Sequence, residues 1–246
     1  MVSTRQHPRD FSPPSAVKAS SPASSSTSNN GATSKWVHTP STAITIWLLV
    51  SVPLVVWDAG YVLLRPHSMP GNKLHSPLWT PYALYGTIDY MYGWPAFNAR
   101  NGFTAAQTVL NVLECISYIY YLGIVYEQGV PASSGRGQRK AKKGFKWMLN
   151  TEKVISGHTG AKALLIAYSA SLMTLGKTIL YLLNEVFSGF DNIGHNDIMT
   201  LIFLWIIPNG LWIVFPSYNV YVLGSEIVSS LVSSTPRQRG GRPKSS

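Results

Sequence analysis

A single cysteine, Cys115, stands among 246 residues, which removes disulfide frameworks and thiolate metal clusters from consideration. Histidine offers no alternative: the six histidines fall in tails and loops, and none lies four residues from another as a helical ligand pair would. Neither a metal site nor a cofactor is expected. Acidic residues are few, 10 against 20 Lys and Arg, for a formal net charge of +10. The first 41 residues lack an apolar core behind a basic start, so no cleavable secretory signal is expected, and the first apolar stretch would itself direct targeting. No internal repeat is visible.

Apolar residues make up 46% of the chain, yet its mean hydropathy is barely above zero, because polar and apolar segments are segregated. Residues 1–41 and 233–246 are rich in Ser, Pro, Thr and Gly and read as disordered tails, and the stretch from Gly129 to Lys153 is basic. Thr42–Leu64, Thr104–Tyr126, Ala163–Val186 and Met199–Leu223 each reach the length of about 20 residues that spans a hydrocarbon core of about 30 Å. The expected fold is an all-α membrane protein, a four-transmembrane-helix bundle, with one membrane domain over residues 42–232.

Positions of charge decide more here than their sum. The N-terminal tail carries 4 Lys and Arg, the first loop 3, the second loop 8, the third none and the C-terminal tail 4, with Lys177 alone inside a span. Alternation of 16 against 3 is the positive-inside pattern for both termini in the cytosol. The run Arg139, Lys140, Lys142, Lys143 and Lys146 has the composition of a nucleic-acid or nuclear-import stretch, but a topology-setting loop beside anionic lipid accounts for it, and no nucleic-acid partner is expected. Between the first two spans, Pro66, Pro70, Pro77, Pro81 and Pro95 prevent one continuous helix, while Trp79, Tyr82, Tyr85, Tyr90, Tyr92 and Trp94 suit a structured lumenal cap at the membrane interface.

Carboxylates inside the apolar stretches point to function. Glu114 lies near the middle of the second, with Asp58 and Glu185 in or at the ends of others, where a charge costs on the order of 2.5–3.5 kcal/mol even on a lenient scale. Residues three or four apart share a helical face, so Gln107, Asn111, Glu114, Ser117 or Tyr118, and Tyr121 form one stripe. Thr174, Lys177, Thr178, Tyr181 and Glu185 form a second, and the fourth span adds Asn209 and Trp212 beside Pro208. A rise of about 1.5 Å per residue places Glu114, Lys177 and Asn209 near one depth, with Asp58 within about 10 Å of it. Polar groups also glue membrane helices together, which suffices for Ser117, Thr174 and Asn209 taken singly and for a neutralised Lys177–Glu114 pair. For Asp58 and Glu114 the balance favours function, since carboxylates are costlier to bury than amides or hydroxyls.

Leu180-Tyr-Leu-Leu-Asn-Glu-Val-Phe-Ser-Gly-Phe190, Gly194-His195 and Pro208-Asn-Gly-Leu-Trp-Ile-Val-Phe-Pro216 resemble, in order and spacing, the second half of the emopamil-binding protein family, the sterol isomerases of the EXPERA superfamily. Glu114-Cys-Ile-Ser117 resembles that family's Glu-x-x-Thr pattern, and Tyr82-Ala with Asn101-Gly-Phe-Thr104 resembles its lead-in, so the likeness covers roughly residues 52–223. It implies a four-helix protein of the endoplasmic reticulum membrane that moves a ring double bond of a sterol from the 8,9 to the 7,8 position by proton transfer. Glu114 and Asp58 are the expected proton-transfer pair, and Ser117, Asn209 and Trp212 the expected lining of the sterol cavity. Asn111, Tyr181 and Glu185, from the same stripes, join them as ligand contacts. An apolar cavity disfavours a charged carboxylate, which suits an acid near neutral pH, and a Trp face stabilises a cation. Leu54 stands where the family has a histidine, Lys177 has no counterpart there, and the first span with Pro53 and Asp58 looks more like the sigma-two receptor branch. The alternative is therefore a non-catalytic sterol- or amphiphile-binding or trafficking protein. The expected partner is a sterol or other polycyclic lipid, and a homodimer is left open.

Overall fold

The computed structural model describes residues 36–132 and 143–234. The expected tails over 1–35 and 235–246, and the basic residues Arg139, Lys140 and Lys142, lie outside the described residues. Four long apolar helical segments form a multi-pass membrane bundle: α1 (Thr42–Leu63), α4 (Phe103–Gln128), α6 (Gly157–Phe187) and the run from α7 (Ile198–Leu201) into α8 (Ile207–Ser234). The last two are longer than the sequence windows. At about 1.5 Å per residue the 31 residues of α6 reach about 46 Å, so α6 extends past the hydrocarbon core into the interfacial layers.

Each neighbour in sequence is a neighbour in space, with α4 packed against α1 and α6, and α6 against α8. Buried positions recur at helical spacing: Ile44, Leu48 and Val52 on α1, and Ala163, Leu164, Ala167 and Ala170 on α6, meet Tyr118, Tyr121 and Val125 of α4 in one core. Small residues on α6 allow close backbone approach, which matters where lipid tails are as apolar as the side chains. Residues on the opposite faces, such as Val50, Leu54, Ile116, Ile119 and Val214, are exposed to the surrounding bilayer.

Two devices shape one end of the bundle. Between α7 and α8 the chain makes a π-helical turn over Ile202–Ile206, where Ile207 N–H reaches back five residues to the Ile202 carbonyl. Pro208 follows directly; lacking an N–H, it cannot continue the α pattern, and the wide turn accommodates the break. Over the same end lies a cap built from α2 (Pro81–Ile88), α3 (Trp94–Asn98) and the intervening loops. Trp57 Nε1 donates to the Leu78 carbonyl at 2.8 Å, Trp79 Nε1 to the Trp57 carbonyl at 3.0 Å, and the Tyr61 and Tyr82 rings stack with centroids 3.8 Å apart. The aromatic loop is thus bolted to α1.

The other end holds structure that the sequence reading assigned to a tail and a loop. β1 (Val37–His38), β3 (Lys153–Ser156) and β2 (Val130–Pro131) form a three-stranded antiparallel sheet in the order β1-β3-β2, and α5 (Phe145–Asn150) precedes β3. Strands of two to four residues carry no alternation long enough to read, and their pairing is entirely tertiary. Lys153, expected in a solvated basic loop, is 1% exposed; its Nζ donates to the carbonyls of Met148 at 2.7 Å and Thr151 at 2.6 Å and lies 5.2 Å from the centre of the Trp147 ring. Burial pushes its ammonium below the usual lysine range. His38 Nδ1 contacts the Glu226 carboxylate at 3.0 Å, joining the start of the domain to the end of α8.

Gly160, in the first turn of α6, approaches β3 so closely that a Cβ would stand 2.3 Å from the Ile155 carbonyl oxygen. Gly160→Ala is expected to push β3 from α6 at a cost of about 1–3 kcal/mol, read as a lower Tm in detergent with the long helices retained by circular dichroism.

Candidate functional site

At the capped end, the four long helices enclose a cavity of about 530 Å³. Trp57 and Asp58 enter it from α1, Gln107 and Asn111 from α4, and Lys177, Thr178 and Tyr181 from α6. Pro208, Asn209 and Trp212 form the α8 wall, and Tyr82, Tyr85 and Tyr92 close the cap side. Each contribution follows from helical periodicity: 107 and 111, 177 and 181, and 208 and 212 are each one turn apart. Leu54, Leu84 and Leu204 belong to the wall and are also exposed at 52%, 60% and 39%, so the rim is continuous with the apolar outer surface.

Asp58 and Lys177 are the charged groups of this wall. Asp58 Oδ1 accepts from the Tyr82 hydroxyl, one ring of the cap aromatic cluster. Lys177 Nζ lies 3.2 Å from Glu114 Oε2 and donates to Asn111 Oδ1, while Gln107 Nε2 donates to the Lys177 carbonyl at 3.0 Å. Glu114 is 2% exposed and is not part of the wall; it stands one layer behind, reaching the cavity only through Lys177. Thr174 Oγ1 donates to Glu114 Oε2 at 2.9 Å and lies 2.9 Å from the Tyr118 hydroxyl. Lys177 is paired with Glu114 behind the wall, and Asp58 is the acidic group that faces the cavity itself.

Asn111, Tyr181, Asn209 and Trp212, expected as ligand contacts, line the cavity together with Asp58. Asn209 Nδ2 also donates to the Trp205 carbonyl of the π turn at 2.8 Å, and Trp212 packs edge-on to Trp47 with ring centres 5.1 Å apart. Two expected contacts lie elsewhere. Ser117 is on the outer face, its Oγ donating to the Leu113 carbonyl at 2.9 Å, beside a shallow groove formed with Leu165, Ile166 and Ser169. One residue on a helix turns the side chain by about 100°, and Tyr118, the other candidate for that place in the stripe, takes the inward position. Glu185 is fully buried near the third loop, where its Oε1 accepts from Asn192 Nδ2 at 2.8 Å and holds that loop to α6.

Asp89 went unread in the sequence. It is fully buried between cap and bundle: Oδ1 accepts from the Met91 amide at 2.9 Å, and Oδ2 accepts from Trp205 Nε1 at 2.9 Å and from the Tyr181 hydroxyl. Burial pushes its carboxyl above the usual range, opposed by these three donors. Asp89 therefore orients Tyr181, a cavity residue, and fastens the cap to the π turn. An isolated acid in an aromatic loop was the only available sequence signal.

Removing one member of a buried pair strands the other charge, at a typical cost of about 3–5 kcal/mol, whereas removing both is often neutral. Lys177→Met is expected to lower the Tm sharply and Lys177→Met with Glu114→Gln to restore most of it, measured as a double-mutant cycle in detergent. No family model, curated protein or solved structure matches this chain.

Proposed function

We propose that this protein is an integral membrane sterol isomerase-like enzyme that takes a sterol or related polycyclic terpenoid into the capped cavity and shifts a ring double bond from the 8,9 to the 7,8 position. The observation that carries the reading is Asp58: an acidic side chain on a largely aromatic and apolar cavity wall within the membrane bundle. A volume of about 530 Å³ falls in the range of about 300–1,000 Å³ usual for small-molecule sites, and the exposed leucine rim suits a ligand arriving from lipid.

The reaction requires one proton added to a ring carbon of the double bond and one removed from the adjacent carbon on the other side. Protonation draws the π electrons into a new C–H bond and leaves a carbocation; loss of the second proton returns a bonding pair as the shifted double bond. Asp58, hydrogen-bonded to Tyr82, stabilises the cation and exchanges one proton, while Trp57, Trp212 and Tyr85 offer ring faces to the same charge. Glu114 serves as the second proton-handling group through Lys177, which intervenes between it and the cavity. We assign the protein to the endoplasmic reticulum membrane, with the His38–Glu226 end in the cytosol on the grounds of loop charge.

A second reading is binding without turnover. It is favoured by the Lys177–Glu114 contact, which keeps Glu114 from the cavity surface, and by Leu54 at the wall where a proton-carrying side chain would be useful. Asp58 then pairs with a cationic amphiphile or orients a sterol.

The deciding experiment expresses the chain in membranes of an isomerase-deficient host supplied with an 8,9-unsaturated sterol. The enzyme reading expects the 7,8-unsaturated product, with turnover falling about 10²–10⁴-fold in Asp58→Asn and in Glu114→Gln. Retention of a photoreactive sterol by the folded protein, with no product from any 8,9-unsaturated substrate, establishes the binding reading instead.

A further inference from the structure

The polar groups behind the cavity continue along the bundle towards its sheet end. From Lys177 the contacts run to Glu114, to Thr174 Oγ1 at 2.9 Å, to the Tyr118 hydroxyl at 2.9 Å, and to Ser171 Oγ at 3.4 Å. From the sheet end a second series runs inward. Glu226, with its side chain 21% exposed, meets His38 Nδ1 at 3.0 Å, and His38 Nε2 meets the Tyr121 hydroxyl at 3.2 Å. His38 and Tyr121 are both fully buried. The two series share α4, where Glu114, Tyr118 and Tyr121 occupy one face and the two tyrosines are separated by about 4.5 Å of helical rise.

A third buried group belongs at the break between them. Asn219 of α8 is fully buried, and neither its Oδ1 nor its Nδ2 has a hydrogen-bond partner among the described residues. Its depth follows from the packing of α8 on α6, where a Cβ on Gly224 would stand 3.2 Å from Tyr168 Cε2. The chain reverses between these helices, so Asn219 lies about 7.5 Å from that contact towards the cavity, and Ser171 to Thr174 lie about 4.5–9 Å from it in the same direction. Asn219 is thus level with the Tyr118 network, where Ala167 and Ala170 contribute only small side chains. A buried amide with both polar atoms unpaired, at the depth of hydroxyls able to donate and accept, is a setting in which an internal water is held.

We propose that this file is a proton path from the surface at Glu226 to Glu114, completed by water bound at Asn219 between Ser171 and Tyr121. Inward transfer uses the His38 tautomer with Nε2–H donating to the Tyr121 hydroxyl oxygen, which leaves Nδ1 free to take the proton entering at Glu226. His38 takes a proton at one ring nitrogen and releases one from the other, and each hydroxyl and the water pass on their own proton while receiving the next. One proton enters at Glu226 and one arrives at Glu114, with no other bond changed. The path leaves the cavity aside, so it would let Glu114 re-equilibrate with the aqueous phase while a ligand fills the site. It does not depend on the identity of that ligand or on turnover.

Exchange of the Tyr118 hydroxyl with solvent tests this directly. The full-length protein, in lipid nanodiscs and with tyrosine labelled at Cζ, is observed by carbon NMR in equal parts H₂O and D₂O, with Tyr118 assigned by Tyr118→Phe. Fast exchange gives one averaged Cζ line and slow exchange two. The path predicts a single line for the unmodified protein although Tyr118 is only 5% exposed, and two lines in Asn219→Leu. Tyr121→Phe, on the far side of the break, should give the same splitting and stands in should Asn219→Leu fail to fold. Two lines in the unmodified protein, or one averaged line in both folded variants, would overturn the proposal.

Discussion

The contact between Lys177 and Glu114 is the interaction around which the inner bundle is arranged. Neither group can rest alone in an apolar interior, and at 3.2 Å each answers the other. Asn111 on α4 accepts from Lys177 and Thr174 on α6 donates to Glu114, with Tyr118 beyond Thr174. These contacts fix the register of α4 against α6, because a slide of one residue would turn the stripe on either helix away from its partners. The cavity then lies on one side of the pair and the buried hydroxyls on the other.

Space for a ligand comes from breaks in regular structure. Pro208 forces the wide turn that precedes α8, and Asn209 stabilises that turn by donating to the Trp205 carbonyl. The cap covers the resulting hollow because Asp89 binds Trp205 and Tyr181 together, while Trp57 and Trp79 fasten the same loops to α1. Rings that close the cavity are therefore held by hydrogen bonds and by stacking on one another, as Tyr82 is on Tyr61. Around Asp58 these rings create an environment suited to positive charge, whether a transient carbocation or a permanent ammonium.

At the opposite end the polar contacts serve to anchor. His38 and the Thr39 amide, which donates to Glu226 at 3.2 Å, pin the entry of the chain to the end of α8, and β1 lies along β3. Lys143 performs a similar task where α4 ends, its Nζ donating to the Tyr126 and Glu127 carbonyls at 2.7 Å in place of the absent next turn. Basic side chains that set charge asymmetry in sequence thus also terminate helices in the fold.

Hydropathy alone determined the four spans, since no other arrangement shields some 20 consecutive apolar residues and their backbone amides from water or lipid. Helical periodicity likewise placed Asn111, Lys177 and Tyr181, together with Asn209 and Trp212 beside Pro208, on faces that meet at one cavity. Sequence spacing left Ser117 and Tyr118 as equals, and only packing against α6 turned Tyr118 inward. Glu114 was legible as an intramembrane acid and its pairing with Lys177 as one option, but only the way the two helices meet sets it behind Lys177 and off the cavity wall. Asp89, Lys153 and His38 sit in segments without periodicity; the partners of Asp89 and His38, Trp205 and Glu226 among them, are distant in sequence, and Lys153 is covered where the chain folds back on Trp147. Membrane insertion is a property of composition along the chain, whereas burial of a particular charge is a property of the contacts that surround it, and only the tertiary structure decides those.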